Sequence, residues 1–137
     1  MSLINWIVSA SNIYGLVPIY YSSGYHRLWI STVVSASVLM HLSERKHGLP
    51  GIYPFNKYSN LFLWCDRIMA YSIVLYGIWN WPRSLELITT NYSVLPLMLV
   101  GFTNLLLSEG LECSKGFFAF THSIWHICAF HLCYLFI

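Results

Sequence analysis

The chain has 137 residues, of which 57% are hydrophobic, 18% aromatic and only 9% charged, with a mean hydropathy of +0.59. Soluble domains carry about 25% charged residues, so this composition excludes an ordinary soluble domain and indicates a protein whose solvent is a lipid bilayer. The net charge of +2 is too small, and its basic residues are too scattered, for a nucleic-acid-binding surface.

Five stretches are long and apolar enough to cross a bilayer, because a helical span needs about 20 mostly apolar residues. In chain order they are residues 4–21, 28–43, 59–80, 91–108 and 116–137. The links between them are short and hold nearly all the charge, and one of them is WPRSLELITT, between the third and fourth spans. The sequence therefore predicts an all-α bundle of five transmembrane helices, in which residues 1–137 form a single domain.

The basic residues predict the orientation of this bundle. Arg27 and Arg83 lie on one side, and five others lie on the side of the N-terminus: Arg45, Lys46, Lys57, Arg67 and Lys115. Since Lys and Arg are enriched on the cytoplasmic side, we expect the N-terminus in the cytoplasm and the C-terminus on the other side. The expected location is a membrane of the endoplasmic reticulum, the Golgi or the cell surface.

The longest link, residues 43–58, carries Gly48, Pro50, Gly51 and Pro54, which prevent a continuous helix. We expect a cytoplasmic loop that is not helical and is ordered against the site described below. His26 and His47 lie in links and are expected to be solvated.

The four cysteines fall mostly within apolar segments and lack the spacing of a zinc knuckle. They are Cys65, Cys113, Cys128 and Cys133. We predict free thiols that pack as small apolar side chains.

Ionisable residues inside the predicted spans lie at one depth. His41 ends the second span, Asp66 lies about two turns into the third, and His122 and His126 lie two to three turns into the fifth. All four are near the predicted cytoplasmic side, and each would be costly in hydrocarbon without a partner. Ser37 precedes His41 by four residues and shares its helix face. The agreement in side and depth indicates one shared site.

The spacing of the histidines favours a metal. His122 and His126 project from one helix face, as in the helical HExxH zinc motif, although HSIWH lacks the glutamate. His41 completes a three-histidine set with an open fourth position, as in catalytic zinc sites. We predict one Zn²⁺ on these three histidines with water in the fourth position. Asp66 and Ser37 are the predicted catalytic residues: Asp66 holds or deprotonates the water and passes the proton on, and Ser37 lines the cavity.

Each of these residues also has a structural interpretation. Ser37 can bond to its own helix, Asp66 can pair with Arg67 or a lysine, and His41 can cap a helix end. The HxxxH pair can hydrogen-bond to another helix, and we expect this of His131, which lies on a different face. Haem is disfavoured, because residues i and i+4 cannot bind opposite faces of one iron.

Three motifs in order, 37-SVLMH-41, 64-WCDR-67 and 122-HSIWH-126, are similar to those of the CREST superfamily. Its members include alkaline ceramidases, adiponectin/progestin-type receptors, GPI-anchor lipid-remodelling proteins and the myomaker group. The similarity covers about residues 31–72 and 117–137. It implies zinc on the three histidines, assisted by Asp66 and Ser37, and metal-dependent hydrolysis of a lipid amide or ester. The family has seven helices, whereas the interval between Asp66 and His122 leaves room for one span rather than three.

The leading hypothesis is therefore a zinc-dependent intramembrane lipid hydrolase, ceramidase-like or phospholipase-like. Its substrate or ligand would be a sphingolipid, a phospholipid or a GPI-type lipid. With two helices fewer than the family, the substrate pocket lacks a wall. Either a neighbouring copy in a homo-oligomer supplies that wall, or lipid enters directly from the bilayer, or the site is a non-catalytic relic. The alternatives are a remodelling or receptor-like scaffold with a structural zinc, and a histidine-lined pore without metal.

Overall fold

A computed structural model describes residues 3–110 and 114–137. Within these residues all regular structure is helical, so the predicted all-α class is confirmed. The seven α-helices of this part of the chain are α1 (Leu3–Ser11), α2 (Leu16–Tyr21), α3 (Gly24–Ser43), α4 (Ser59–Trp79), α5 (Trp81–Thr90), α6 (Val94–Gly110) and α7 (Lys115–Phe136). Three short 3₁₀ turns connect or precede them, at Asn12–Gly15, Lys46–Gly48 and Phe55–Tyr58.

Four of the five predicted spans correspond to the single helices α3, α4, α6 and α7. The first predicted span is α1 and α2 joined by the 3₁₀ turn Asn12–Gly15. The predicted link WPRSLELITT is instead the helix α5, which begins with Pro82 in its first turn. A proline at that position has the backbone angle of a helix and needs no hydrogen-bonded N–H. The rest of the link, after Pro82, contains no glycine or proline and was therefore free to become helical.

Two helices in the described residues are long and apolar enough to cross a membrane, Leu3–Tyr21 and Phe55–Trp79. A third is counted if α5 and α6, which meet at an angle of 106°, form one broken span. The helices α3 and α7 have 20 and 22 residues. Their hydropathy is reduced by polar residues, including four serines in α3 and three histidines in α7. Two or three candidate spans are thus established, and the count of five stays a prediction.

The helix α1 packs against both α3 and α7. The helix α6 packs along α7, and α4 lies at the periphery, against α3. Gly101 permits the close approach of α6 to α7, because a Cβ atom there would lie 2.9 Å from Cβ of Cys128. The space between α3 and α7 is filled by the side chains of His41, His122 and His126.

The interior of this bundle is unusually polar and its exterior unusually apolar. Half of the most deeply buried set consists of polar or charged residues, whereas large hydrophobic residues are exposed along every helix. The prediction of free thiols is confirmed for three cysteines: Cys65, Cys128 and Cys133 are unbonded. Cys113 lies outside the described residues. A polar interior inside an apolar surface is the reverse of the arrangement in soluble proteins.

The link between α3 and α4 is a folded loop, as predicted, and contains no continuous helix. It turns through left-handed backbone at His47 (φ 55°), Gly48 (φ 71°) and Gly51 (φ 63°). Gly51 packs directly on the end of α3, since a Cβ atom there would lie 2.7 Å from the carbonyl oxygen of Ser43. The N–H of Ile52 donates to the carbonyl of Leu42 at 2.7 Å. The loop is thereby fixed against the helix that carries His41.

Candidate metal centre

Three histidines from two helices converge inside the bundle. His41 comes from the last turn of α3, and His122 and His126 lie one turn apart on α7. One ligand nitrogen of each lies within 4.8 Å of those of the other two. All three residues are buried, with exposures of 1%, 4% and 4%. Within the described residues, these are the groups that can hold a metal ion, so the predicted three-histidine cluster is confirmed as a possible metal site.

The buried stripe of α7 explains why two histidines point inward and the third does not. His122 and His126 follow Phe118 at intervals of four residues, and Phe130 continues the row. His131 lies beside that row, and its Nδ1 is 2.7 Å from the hydroxyl of Tyr14. The expectation that His131 hydrogen-bonds to a neighbouring segment, and not to the cluster, is confirmed.

The outer nitrogen of each histidine in the cluster has a polar partner. Nδ1 of His41 is 2.8 Å from Oε2 of Glu44. Nδ1 of His126 is 2.7 Å from Oγ of Ser11, and Nδ1 of His122 is 3.0 Å from Oγ of Ser108. Second partners of this kind are characteristic of metal-binding histidines, because they fix the ring orientation.

These partners also decide which nitrogen carries hydrogen. The hydroxyl of Ser11 donates to the carbonyl of Val8, and that of Ser108 donates to the carbonyl of Leu105. A hydroxyl has one hydrogen, so each serine accepts from the histidine beside it. The carboxylate of Glu44 can only accept. All three rings therefore carry hydrogen on Nδ1, and in the neutral form of each ring the lone pair lies on Nε2.

The inner nitrogens of His41 and His126 face each other at 3.2 Å. In a tetrahedral zinc site with Zn–N bonds of about 2.0–2.1 Å, two ligand nitrogens lie about 3.3–3.4 Å apart. Facing lone pairs need a positive charge between them. A proton can satisfy one pair of nitrogens, whereas a metal ion can satisfy all three. The donor set, the distance between these two nitrogens and the outer partners thus fit a metal ion.

The two predicted catalytic residues lie beside this cluster. Oγ of Ser37 is 3.3 Å from Nε2 of His126, and Ser37 is buried. Asp66, on α4, is half-buried. Its carboxylate interacts with the hydroxyl of Ser37 and with the ring of His41. The structure therefore brings all five predicted site residues together.

Four residues of this site were missed by the sequence reasoning: Asn5, Ser11, Glu44 and Ser108. Glu44 had a local signal, because it follows His41 by three residues. Ser11 and Ser108 had no such signal. They lie on α1 and α6, far from the histidines in sequence, and serines are common in apolar helices. Only the packing of these helices shows that both serines contact a histidine.

The loop after α3 closes the site on the predicted cytoplasmic side. Nζ of Lys46 forms an ion pair with Oε2 of Glu109 at 2.7 Å, at the end of α6. The ring of His47 lies 3.1 Å from the carbonyl of Ser108, and His26, in α3, is 2.8 Å from the hydroxyl of Tyr76. Both rings are partly exposed, and each has a hydrogen-bond partner. His26 lies in α3 and not in a link as predicted, because α3 begins earlier than expected.

Comparison with known proteins gives no matching family model, no matching curated protein and no matching solved structure.

Proposed function

We propose that the protein is a zinc-dependent intramembrane hydrolase that cleaves an amide or ester bond of a membrane lipid. The observation that carries the proposal is the convergence of three buried histidines beside Asp66 and Ser37. Three imidazoles without a charged protein ligand leave the ion its full positive charge and an open position. A carboxylate and a hydroxyl beside that position are the groups that hydrolysis needs.

The proposed setting is a bilayer crossed five times, with the N-terminus in the cytoplasm. The apolar exterior and polar interior support it. The helices α3 and α7 direct their histidines toward each other. A hydrocarbon solvent would therefore meet mostly the apolar faces of the bundle. The organelle proposed is the endoplasmic reticulum, the Golgi or the plasma membrane.

When bound, zinc supplies a Lewis acid that polarises a carbonyl group and makes a water molecule easier to deprotonate. The protein's own residues do the rest. His41, His122 and His126 would hold the ion through Nε2. Asp66 takes a proton from the attacking water as its oxygen bonds to the carbonyl carbon. Asp66 then gives that proton to the leaving amine or alcohol as the C–N or C–O bond breaks. Ser37 orients the carboxylate of Asp66.

The proposed substrate is a sphingolipid, a phospholipid or a GPI-type lipid, as the CREST resemblance implies. Asp66 is the most exposed of the five residues of the predicted site. It lies on α4, which packs on α3 at the edge of the bundle. We propose that the lipid reaches the histidines past Asp66, directly from the bilayer.

A second candidate is a scaffold in which the metal only joins α3 to α7. The burial of all three histidines favours it, because structural metal sites are closed. A histidine-lined pore is the third candidate, and it requires no metal.

The deciding experiment combines metal analysis with lipid turnover on the full chain in detergent. We expect one zinc per chain and hydrolysis of at least one labelled ceramide, lysophospholipid or GPI precursor. Asp66→Asn should keep the zinc and lower the rate about 10²- to 10⁴-fold. Glu86→Gln, which removes an exposed carboxylate on α5, is the matched control and should change neither.

Each other outcome points to a different class of protein. Stoichiometric zinc without turnover of any of these lipids would favour the scaffold. A purified protein without zinc would contradict both the hydrolase and the scaffold, and would leave the pore.

A further inference from the structure

We infer that Glu44 is a positioning residue of the metal centre, and that it serves as a second counter-ion beside Asp66. The inference rests on the proposed metal site but not on its hydrolytic activity. Glu44 follows α3 in sequence and lies in none of the three motifs that predicted the site. The sequence predicted one carboxylate beside the metal, Asp66, and the structure adds Glu44 in contact with a histidine of the cluster.

The contact between Glu44 and His41 is direct and shielded from solvent. Oε2 of Glu44 lies 2.8 Å from Nδ1 of His41, and the two side chains are 6% and 1% exposed. A buried carboxylate is costly unless it is paired, so this contact is not an incidental surface pair. Because the carboxylate only accepts, it holds the hydrogen of His41 on Nδ1 and directs Nε2 toward His126.

The backbone at Glu44 is held from a separate helix. The side-chain amide of Asn5, on α1, donates to the carbonyl of His41 at 2.8 Å and to that of Glu44 at 3.0 Å. One amide thereby joins the last turn of α3 to the first residue of the loop. The backbone of Glu44 is extended (φ −63°, ψ 131°), so the chain leaves the helical path at this residue. The carboxylate thereby lies next to the ring of His41.

The three outer partners of the histidines are not equivalent. Ser11 and Ser108 are neutral, whereas Glu44 carries a charge. Three neutral imidazoles and a divalent cation have a net charge of +2, and the carboxylates of Asp66 and Glu44 balance it. Because Asp66 is the group proposed to move a proton, Glu44 supplies the negative charge that stays in place.

A third carboxylate near the cluster, that of Glu109, provides a control. Oε1 of Glu109 lies 3.7 Å from Nδ1 of His122, beyond hydrogen-bond distance, and Ser108 is the nearer partner of that ring. Glu109 is also partly exposed and paired with Lys46. Removing its charge changes the local electrostatics without releasing a ring.

The test measures zinc affinity of the full chain in detergent, by competition with a chromophoric chelator, for wild type, Glu44→Ala, Glu44→Gln and Glu109→Gln. Glu44→Ala should weaken zinc binding about 10- to 100-fold, as loss of an outer partner does at other metal-binding histidines. Glu44→Gln keeps an acceptor for Nδ1–H but loses the charge, so it should weaken binding about fivefold. Glu109→Gln should stay within about twofold of wild type.

Two further readouts separate positioning from a merely structural role. The visible spectrum of the Co²⁺-loaded protein should change in Glu44→Ala, because the ring of His41 is no longer held, and should be retained in Glu44→Gln. A structural role alone would lower the thermal midpoint of the metal-free protein and leave zinc affinity and spectrum unchanged. If Glu44→Ala does not fold, Glu44→Gln decides: wild-type affinity in that variant would overturn the inference.

The outcomes also separate this inference from the proposed function. If wild-type protein binds no zinc, the proposed metal site is wrong. If wild type binds zinc and the Glu44 variants bind it equally well, the site stands and only the role of Glu44 fails.

Discussion

The helices α7 and α4 have nearly the same length, 22 and 21 residues, but they use their polar residues in opposite ways. Seven residues of α7 are buried and two of these are histidines of the cluster, whereas no residue of α4 is fully buried. The difference follows from position, since α7 packs against α1, α2 and α6, and α4 packs mainly on α3. Residues enclosed on several sides can hold a fixed ion. A residue at the edge, as Asp66 is, can meet a substrate.

The strongest test of this comparison lies within α7. His122→Ala should reduce bound zinc from one per chain to almost none, since two histidines alone do not hold the ion firmly. His131→Ala removes a histidine of the same helix that contacts Tyr14, and it should leave the zinc in place. Metal analysis after purification in detergent measures both.

His122→Cys tests whether His122→Ala loses zinc through misfolding or through loss of a ligand, because a thiolate is also a zinc ligand. It should restore part of the zinc that His122→Ala loses. Equal zinc loss in the variants of His122 and His131 would mean that the cluster does not bind the ion as proposed.

A matched pair of isoleucines compares the interior with α4. Ile30, on α3, is 2% exposed, and Ile68, on α4, is 62% exposed. Ile30→Ala should lower the free energy of unfolding by about 2–5 kcal/mol, because it leaves a cavity. Ile68→Ala should change it by less than about 0.5 kcal/mol. Thermal unfolding in one detergent gives both values, and similar losses would show that α4 is enclosed by something beyond this chain, such as a second copy.

A pair of glycines gives the smallest expected effect. Gly51 and Gly24 both have left-handed backbone, with φ of 63° and 51°, so an alanine costs about 1–2 kcal/mol at either site. Only at Gly51 would the new Cβ atom meet a neighbour, the carbonyl of Ser43, whereas nothing lies within 4 Å at Gly24. Gly51→Ala should therefore be the more destabilising change.

Gly51→Ala should also weaken zinc binding, because the same loop carries Glu44. Zinc affinity and thermal midpoint are measured together for both variants. Equal behaviour of the two would show that the packing of the loop on α3 does not support the metal centre.

Local patterns were sufficient for most of the helices and for the three histidines of the cluster. Apolar segments of about 20 residues predicted α3, α4, α6 and α7 to within a few residues, and the glycines and prolines of residues 43–58 predicted a break. The spacing of His122 and His126 placed both on one face. The local patterns failed at α5, which was predicted to be a link, because a short amphipathic segment resembles a polar connection.

What the amino-acid sequence determined by itself is the all-α class, the break after His41 and the set of three histidines with Asp66 and Ser37, because these depend on residue type and helical period. The tertiary structure alone decided which side chains complete the site. Asn5, Ser11 and Ser108 reach it from α1 and α6, at sequence distances where no periodicity operates. Glu44 reaches it because the chain reverses at the end of α3. Hydrogen-bond partners in a buried polar site depend on which helices are neighbours, and in this protein α1 and α6 are the neighbours that packing supplies.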